Sequence, residues 1–281
     1  MMKILILGSG QDAGIPQIGC YCENCNNARA KKEYIHLAPS LSLYDIKRGF
    51  CFLIDASPDI KYQVDSLKNK KIVGNREGVL PVDGIFLTHA HFGHCSGLWL
   101  LGKECIDEKN VPIYCSPKMK QFLKNNHPFS HLLDRKNIIL KELAVSKEMH
   151  FEEFNFFIKS IEIPHRNEFA DTVGYLIKSK RMLLYIPDLD FWTEEIVNLV
   201  NSVDIALIDG TFYTKNEIPS GRDILHPPIT ETMDLFKHSN TEIYFTHFNH
   251  SNPIVKPEGE ERNNAIKKGF KIVYDGLRID L

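Results

Sequence analysis

Short runs of β-branched and aliphatic residues alternate with polar, helix-compatible stretches along nearly the whole chain, the pattern of an α/β architecture. Strands are predicted at KILIL (3–7), SLSLY (40–44), CFLID (51–55), GIFLT (84–88), PIYCS (112–116) and FFIKSIEI (156–163). Five more are predicted at TVGYLIK (172–178), MLLYIPD (182–188), DIALID (204–209), EIYFTH (242–247) and KIVYD (271–275). Between them, SPDIKYQVDSL (57–67) opens with a capping serine and a first-turn proline, and PEGEERNNAIKKG (257–269) runs from acidic to basic to glycine. Both read as helices. No Pro/Gly/Ser-rich linker, fixed-period repeat or low-complexity tract divides the chain, so one domain over 1–281 is expected.

Asp55, His89, Asp188, Asp209 and His247 each stand at the C-terminal end of a predicted strand. Strand ends on one rim are where α/β proteins gather chemistry, because the loops there can converge on one point.

Composition narrows the function. The formal net charge of −2, from 34 basic against 36 acidic residues, advertises no polyanionic partner, so no stable nucleic-acid complex is expected and a small-molecule substrate is. The opening MMKILILGSG is too short in apolar residues for a signal core or membrane span, and a cytoplasmic, membrane-free protein is expected. No heptad or interface segment is visible, which leaves a homodimer open.

The chemistry concentrates in THAHFGHCSGL (88–98), where His89, His91 and His94 follow an apolar strand. Imidazoles on alternate positions of an extended turn can point at one transition-metal ion. A catalytic ion needs further donors and an open position, and His165 (IEIPHRN), Asp188 (LLYIPDLD) and His247 (IYFTHFNH) supply them at other strand ends. Three of the seven cysteines, Cys20, Cys22 and Cys25, crowd one loop at a spacing that favours tetrahedral zinc over disulfides. Cys51, Cys95, Cys105 and Cys115 lie in or beside apolar runs and read as small core residues.

These residues resemble the HxHxDH signature of the metallo-β-lactamase fold superfamily. ILGSGQDAGIPQIGCYCENC, DASPDI, LIDGTF, GRDILHPPIT and THFNHSNPI with YDG look like the branch that holds pyrroloquinoline quinone biosynthesis protein B and the phosphonate-pathway cyclic phosphodiesterase. The resemblance implies a four-layer αββα sandwich with mixed sheets and metals held at one sheet edge. It implies that His89, His91 and His165 bind a first metal, that Asp188 bridges, and that His94 and His247 hold a second. It further implies that His250 completes a structural zinc site with Cys20, Cys22 and Cys25, and that Asp209 orients His226, which donates a proton. Gly93 stands where the signature has its Asp, so the second site is expected to lose a hard oxygen donor and with it some affinity. Protein B departs differently, resembling TDSQIDH at the same point.

The implied activity is metal-dependent hydrolysis of a phosphodiester or ester-type small molecule, with one or two Zn, Mn or Fe ions activating water. The alternatives are an Fe-dependent oxygenase of the quinone-cofactor type and a degenerate member that only binds a ligand.

Overall fold

The computed structural model describes residues 1–218 and 225–281; residues 221–224 of GRDILHPPIT lie outside them. In chain order the strands are β1 (Lys3–Gly8), β2 (Ser40–Asp45), β3 (Phe50–Ile54), β4 (Gly84–Phe86), β5 (Val111–Cys115), β6 (Ile138–Glu142) and β7 (Glu148–Phe151). They continue as β8 (Phe156–Glu162), β9 (Val173–Lys178), β10 (Met182–Ile186), β11 (Ile205–Asp209), β12 (Glu242–Thr246), β13 (Lys271–Ile272) and β14 (Arg278–Asp280). One sheet runs β14-β1-β2-β3-β4-β5-β6 and the other β13-β12-β11-β10-β9-β8-β7. In the first, β14 through β3 pair antiparallel and β3 through β6 parallel. The second repeats the scheme, antiparallel from β7 to β10 and parallel from β10 to β13.

The period of two along β3 shows how the layers form. Phe50, Phe52 and Ile54 join Ile158, Val173, Tyr175 and Ile177 of the other sheet in one buried cluster. Cys51 and Leu53 point the opposite way, toward Ile60, Leu67, Met119 and Leu123 on helices Ile60–Asn69 and Pro117–Asn125. Helices Glu194–Asn201 and Ile229–Leu235 cover the second sheet with Ile196, Val200 and Met233. The result is the expected four-layer αββα sandwich with mixed sheets.

All eleven predicted strands are present, although KIVYD keeps only Lys271–Ile272 in a ladder. The pattern missed β6, β7 and β14, edge or near-edge strands whose outward charged side chains blur the alternation. The helix foreseen from Ser57 begins at Ile60, because Ser57 closes the preceding turn by accepting from the Asp59 N–H and donating to Gln63. Cys51, Cys95 and Cys115 are buried as expected, but Cys105 is exposed in the turn after Leu101, which corrects its reading as core. Among the described residues no helix is long and apolar enough to cross a membrane.

Two local devices fix the rim that carries the histidines. The Ala56 N–H donates to the His94 carbonyl and the Gly97 N–H donates to the Ala56 carbonyl, both at 2.8 Å, lacing the end of β3 to the segment after β4. A Cβ on Gly97 would lie 2.1 Å from the Ser57 carbonyl oxygen, so only glycine permits this approach. Farther along the same rim, half-buried Asp275 accepts from the N–H groups of Leu37 and Ser9 and from the Ser9 hydroxyl. Burial outweighs these bonds and pushes its carboxyl up to about 7.

Gly97→Ala is expected to cost about 1–3 kcal/mol through backbone overpacking, read as a lower urea midpoint; an unchanged midpoint contradicts the close approach. Because the folded state holds a proton on Asp275 above the unfolded value of 3.8, the carboxyl's contribution is full at low pH and lost as pH rises toward 7. The stability of the native chain relative to Asp275→Asn is therefore expected to fall between about pH 4 and pH 7, measured by denaturation at each pH; a pH-independent difference contradicts it.

Candidate metal centre

Parallel pairing sends β3 and β4 of one sheet, and β10, β11 and β12 of the other, out of the core in common directions. Asp55 follows β3, His89 follows β4, His165 follows β8, Asp188 follows β10, Asp209 ends β11 and His247 follows β12. All six are buried, and the structure brings them to one rim. His91 caps the short helix Phe92–Cys95, and His94 lies within it.

Around Asp188 the donors fall into two groups. Donor atoms of His89, His91 and His165 lie within 4.8 Å of one another, as do those of Asp12, His94 and His247. The Asp188 carboxylate stands between them: Oδ1 is 3.6 Å from His165 Nε2, while Oδ2 is 3.1 Å from His94 Nε2, 3.3 Å from His247 Nε2 and 3.9 Å from His89 Nε2. His165, Asp188 and His226 also share a group within 4.8 Å.

Each ring is held by the nitrogen that faces away from this centre. His94 Nδ1–H donates to Asp55 at 2.7 Å, and His165 Nδ1–H donates to Asp190 at 2.8 Å. His247 Nδ1–H donates to the Thr211 hydroxyl and His89 Nδ1–H to the Thr88 hydroxyl, each hydroxyl passing its own proton to a carbonyl or carboxylate oxygen. His91 is turned the other way, with Nε2 on Glu168 and Nδ1 inward, 3.3 Å from His165 Nε2. These bonds fix the orientation of each ring and turn its other nitrogen inward, where a metal could replace any proton it carries.

The fit to a cation follows from what is left over. His89 Nε2, Asp188 Oδ2 and Asp12 Oδ1 are buried with no hydrogen-bond partner among the described residues. His94 Nε2 and His247 Nε2 face each other at 3.4 Å. Buried polar atoms in this state are costly unless a shared cation satisfies them. Three to four nitrogen and oxygen donors per group suit zinc, manganese or iron.

The electrostatics agree. Burial works against a charged His94, but Asp55 and Asp188 overcome it and hold its pKa well above the usual range. The same negative potential attracts a metal cation. Burial raises Asp188, yet the imidazoles of His247, His94 and His89 outweigh that and keep it ionised. Burial depresses His89, His91 and His247, favouring the neutral rings that a metal requires. Burial opposes the charge on His226, but Asp209, 2.6 Å away, raises its pKa to about 9.

Gly93 is not beside a gap. A Cβ there would lie 2.3 Å from both Cα and Oδ1 of Asp12, whose carboxylate fills the space. An Asp12 oxygen thus stands beside His94 and His247, where the sequence reading expected no oxygen donor. Cys95 does not reach this group; its Sγ faces the carbonyls of Ala90 and His91.

Cys20, Cys22, Cys25 and His250 form a separate cluster with donors within 4.8 Å. His250 Nδ1 lies 3.4 Å from the Cys20 Sγ and 3.6 Å from the Cys22 Sγ. The N–H of Cys22 donates to Cys20 Sγ and lowers that thiol's pKa, whereas burial pushes Cys25 up to about 12.

Sequence reasoning placed Asp55 on the rim and Asp12 near the groove without giving either a role, and missed Asp190, Glu168, Thr88 and Thr211 as members of the site. Asp55 carried a signal, a carboxylate at a strand end, and so did Asp190 beside Asp188 in IPDLD. Asp12 in GSGQDAGIP looks like an ordinary turn residue beside the groove, because its partner Gly93 is remote in sequence.

Residues 51–248 match the family model described as Beta-lactamase superfamily domain. Coenzyme PQQ synthesis protein B of Methylobacillus flagellatus is 26% identical over 311 residues and covers all of both chains. Its counterpart in Rhizobium meliloti (strain 1021) is 26% identical over 307 residues, covering 100% of this chain and 98% of that one. Among solved structures, Zn(2+)-bound PqqB from Methylobacterium extorquens superposes with a TM-score of 0.84 at 23% identity, covering 99% and 100%. A diphosphatase from the PhnP family gives 0.72 at 24%, covering 99% and 96%. The matched span takes in every rim donor from His89 to His247, and with the αββα sandwich around them the chain belongs to the beta-lactamase superfamily.

Proposed function

We propose that the chain is a metal-dependent hydrolase of a small phosphodiester or related ester. The observation that carries this reading is Asp188 shared between two imidazole-bearing donor groups, with His226 on the same rim. His89, His91 and His165 would hold one ion, His94 and His247 the other, with Asp188 between them. Bound zinc, manganese or iron supplies Lewis acidity and brings the pKa of water toward neutrality.

The chain's own residues do the rest. Asp55, Asp190, Thr88 and Thr211 hold the rings so that little reorganisation is needed during reaction. His226 is protonated at neutral pH and can donate to a departing oxygen, with Asp209 fixing its orientation. A cavity of about 330 Å³ lined by Asp12, Phe212, Glu217 and His250 adjoins the rim and suits a small molecule. The likeness to a PhnP-family diphosphatase supports phosphoester chemistry.

A second reading, oxygen-dependent chemistry in quinone-cofactor assembly, is favoured by the full-length match to Coenzyme PQQ synthesis protein B. His89 and His91 speak for hydrolysis, since the motif of protein B resembles TDSQIDH at their positions. Oxygen uptake with an iron-loaded, anaerobically prepared sample and a tyrosine-derived probe separates the two.

We further propose that Cys20, Cys22, Cys25 and His250 hold a structural zinc, which would replace the thiol protons and tie the N-terminal loop to the segment after His247.

With manganese- or zinc-loaded protein and bis(p-nitrophenyl) phosphate as probe, His226→Ala is expected to lower kcat by about 10²–10⁴ while leaving the metal content intact. Equal turnover by variant and native protein would remove His226 from the reaction. Cys22→Ser is expected to release one zinc per chain, by elemental analysis, and to lower Tm; unchanged zinc content contradicts the structural site.

A further inference from the structure

The carboxylate that the HxHxDH signature places two residues after its second histidine is absent here, because Gly93 occupies that position. Yet the volume such a side chain would use is filled. An ideal Cβ on Gly93 would collide with Asp12 at 2.3 Å, and the atoms it meets are the Cα and Oδ1 of that aspartate. The two positions cannot both carry a carboxylate without moving backbone.

Asp12 is aimed, not merely nearby. Its Oδ1 is buried without a hydrogen-bond partner among the described residues and lies 3.9 Å from His94 Nε2. His94 and His247, the other members of its group, are fully buried. Its loop is fastened to the strand exit that delivers His247: Gln11 N–H donates to the Phe248 carbonyl at 2.8 Å, and Phe248 N–H donates to the Ser9 carbonyl at 2.9 Å. Gly14, at φ +69, closes the turn by donating to the Gln11 carbonyl. The carboxylate therefore arrives from the first loop of the chain instead of from the histidine loop.

We propose that Asp12 is a ligand of the second metal and takes over the role of the missing signature aspartate, so that the centre holds two ions. This rests on the metal-centre reading above and extends it. A carboxylate oxygen beside the His94 and His247 rings and Asp188 would supply the anionic donor that Gly93 lacks. The exchange of glycine and aspartate between two loops keeps the donor set while changing which segment supplies it. A substitution at position 93 alone cannot improve the site; it must displace Asp12.

Elemental analysis after loading with zinc, with the thiolate site counted separately on a Cys22→Ser background, tests this without measuring activity. The native rim is expected to hold two ions and Asp12→Asn one. Asp12→Asn is isosteric, and its Tm in chelator should match that of the native chain. Retention of both ions by Asp12→Asn would overturn the assignment. A native rim binding fewer than two ions would instead overturn the two-ion centre itself.

Discussion

Removing a carboxylate from water costs several kcal/mol unless opposite charge replaces its hydration, and Asp188 is 3% exposed. Four imidazole nitrogens surround its two oxygens at 3.1–3.9 Å, but one oxygen still accepts no hydrogen bond. The rings cannot resolve this by protonating together, because burial and mutual repulsion hold His89, His91 and His247 toward their neutral forms. A cation held on either side of Asp188 would answer both halves of the imbalance. The remaining features of the rim make sense as ways of keeping those donors in place.

Backbone geometry serves the same end. Asp55 and His247 occupy the left-handed region at φ 67 and 64, a conformation that costs non-glycine residues roughly 1 kcal/mol or more and clusters at functional sites. Asp55 gains in return: its side chain accepts from the Thr88 N–H and hydroxyl and from His94, so one buried carboxylate joins β3 to the histidine loop. His247 gains the Thr211 contact at both its ring and its carbonyl. The sandwich supplies rigid strand exits, and these turns bend the side chains into a single centre.

The sequence revealed most of this because strands have a strong period and metal donors are rare residue types. Apolar runs located all the core strands, and the donors at their ends could be named before their distances were known. The edge strands β6, β7 and β14 escaped because half-exposed pairing leaves mixed alternation. The second shortfall was Gly93: read along the chain it is a lost ligand, and only the folded arrangement shows Asp12 in its place. Side chains that act through a ring, such as Asp190 on His165, look like ordinary turn residues until the hydrogen bond is seen.

Anomalous X-ray scattering at the zinc edge from crystals of zinc-loaded protein measures the central claim directly. Two peaks are expected flanking Asp188, at about 2.0–2.2 Å from ring nitrogens and carboxylate oxygens, besides a third among the cysteines. A map whose only peak lies at the thiolate cluster, with the rim histidines in their present hydrogen bonds, would contradict it.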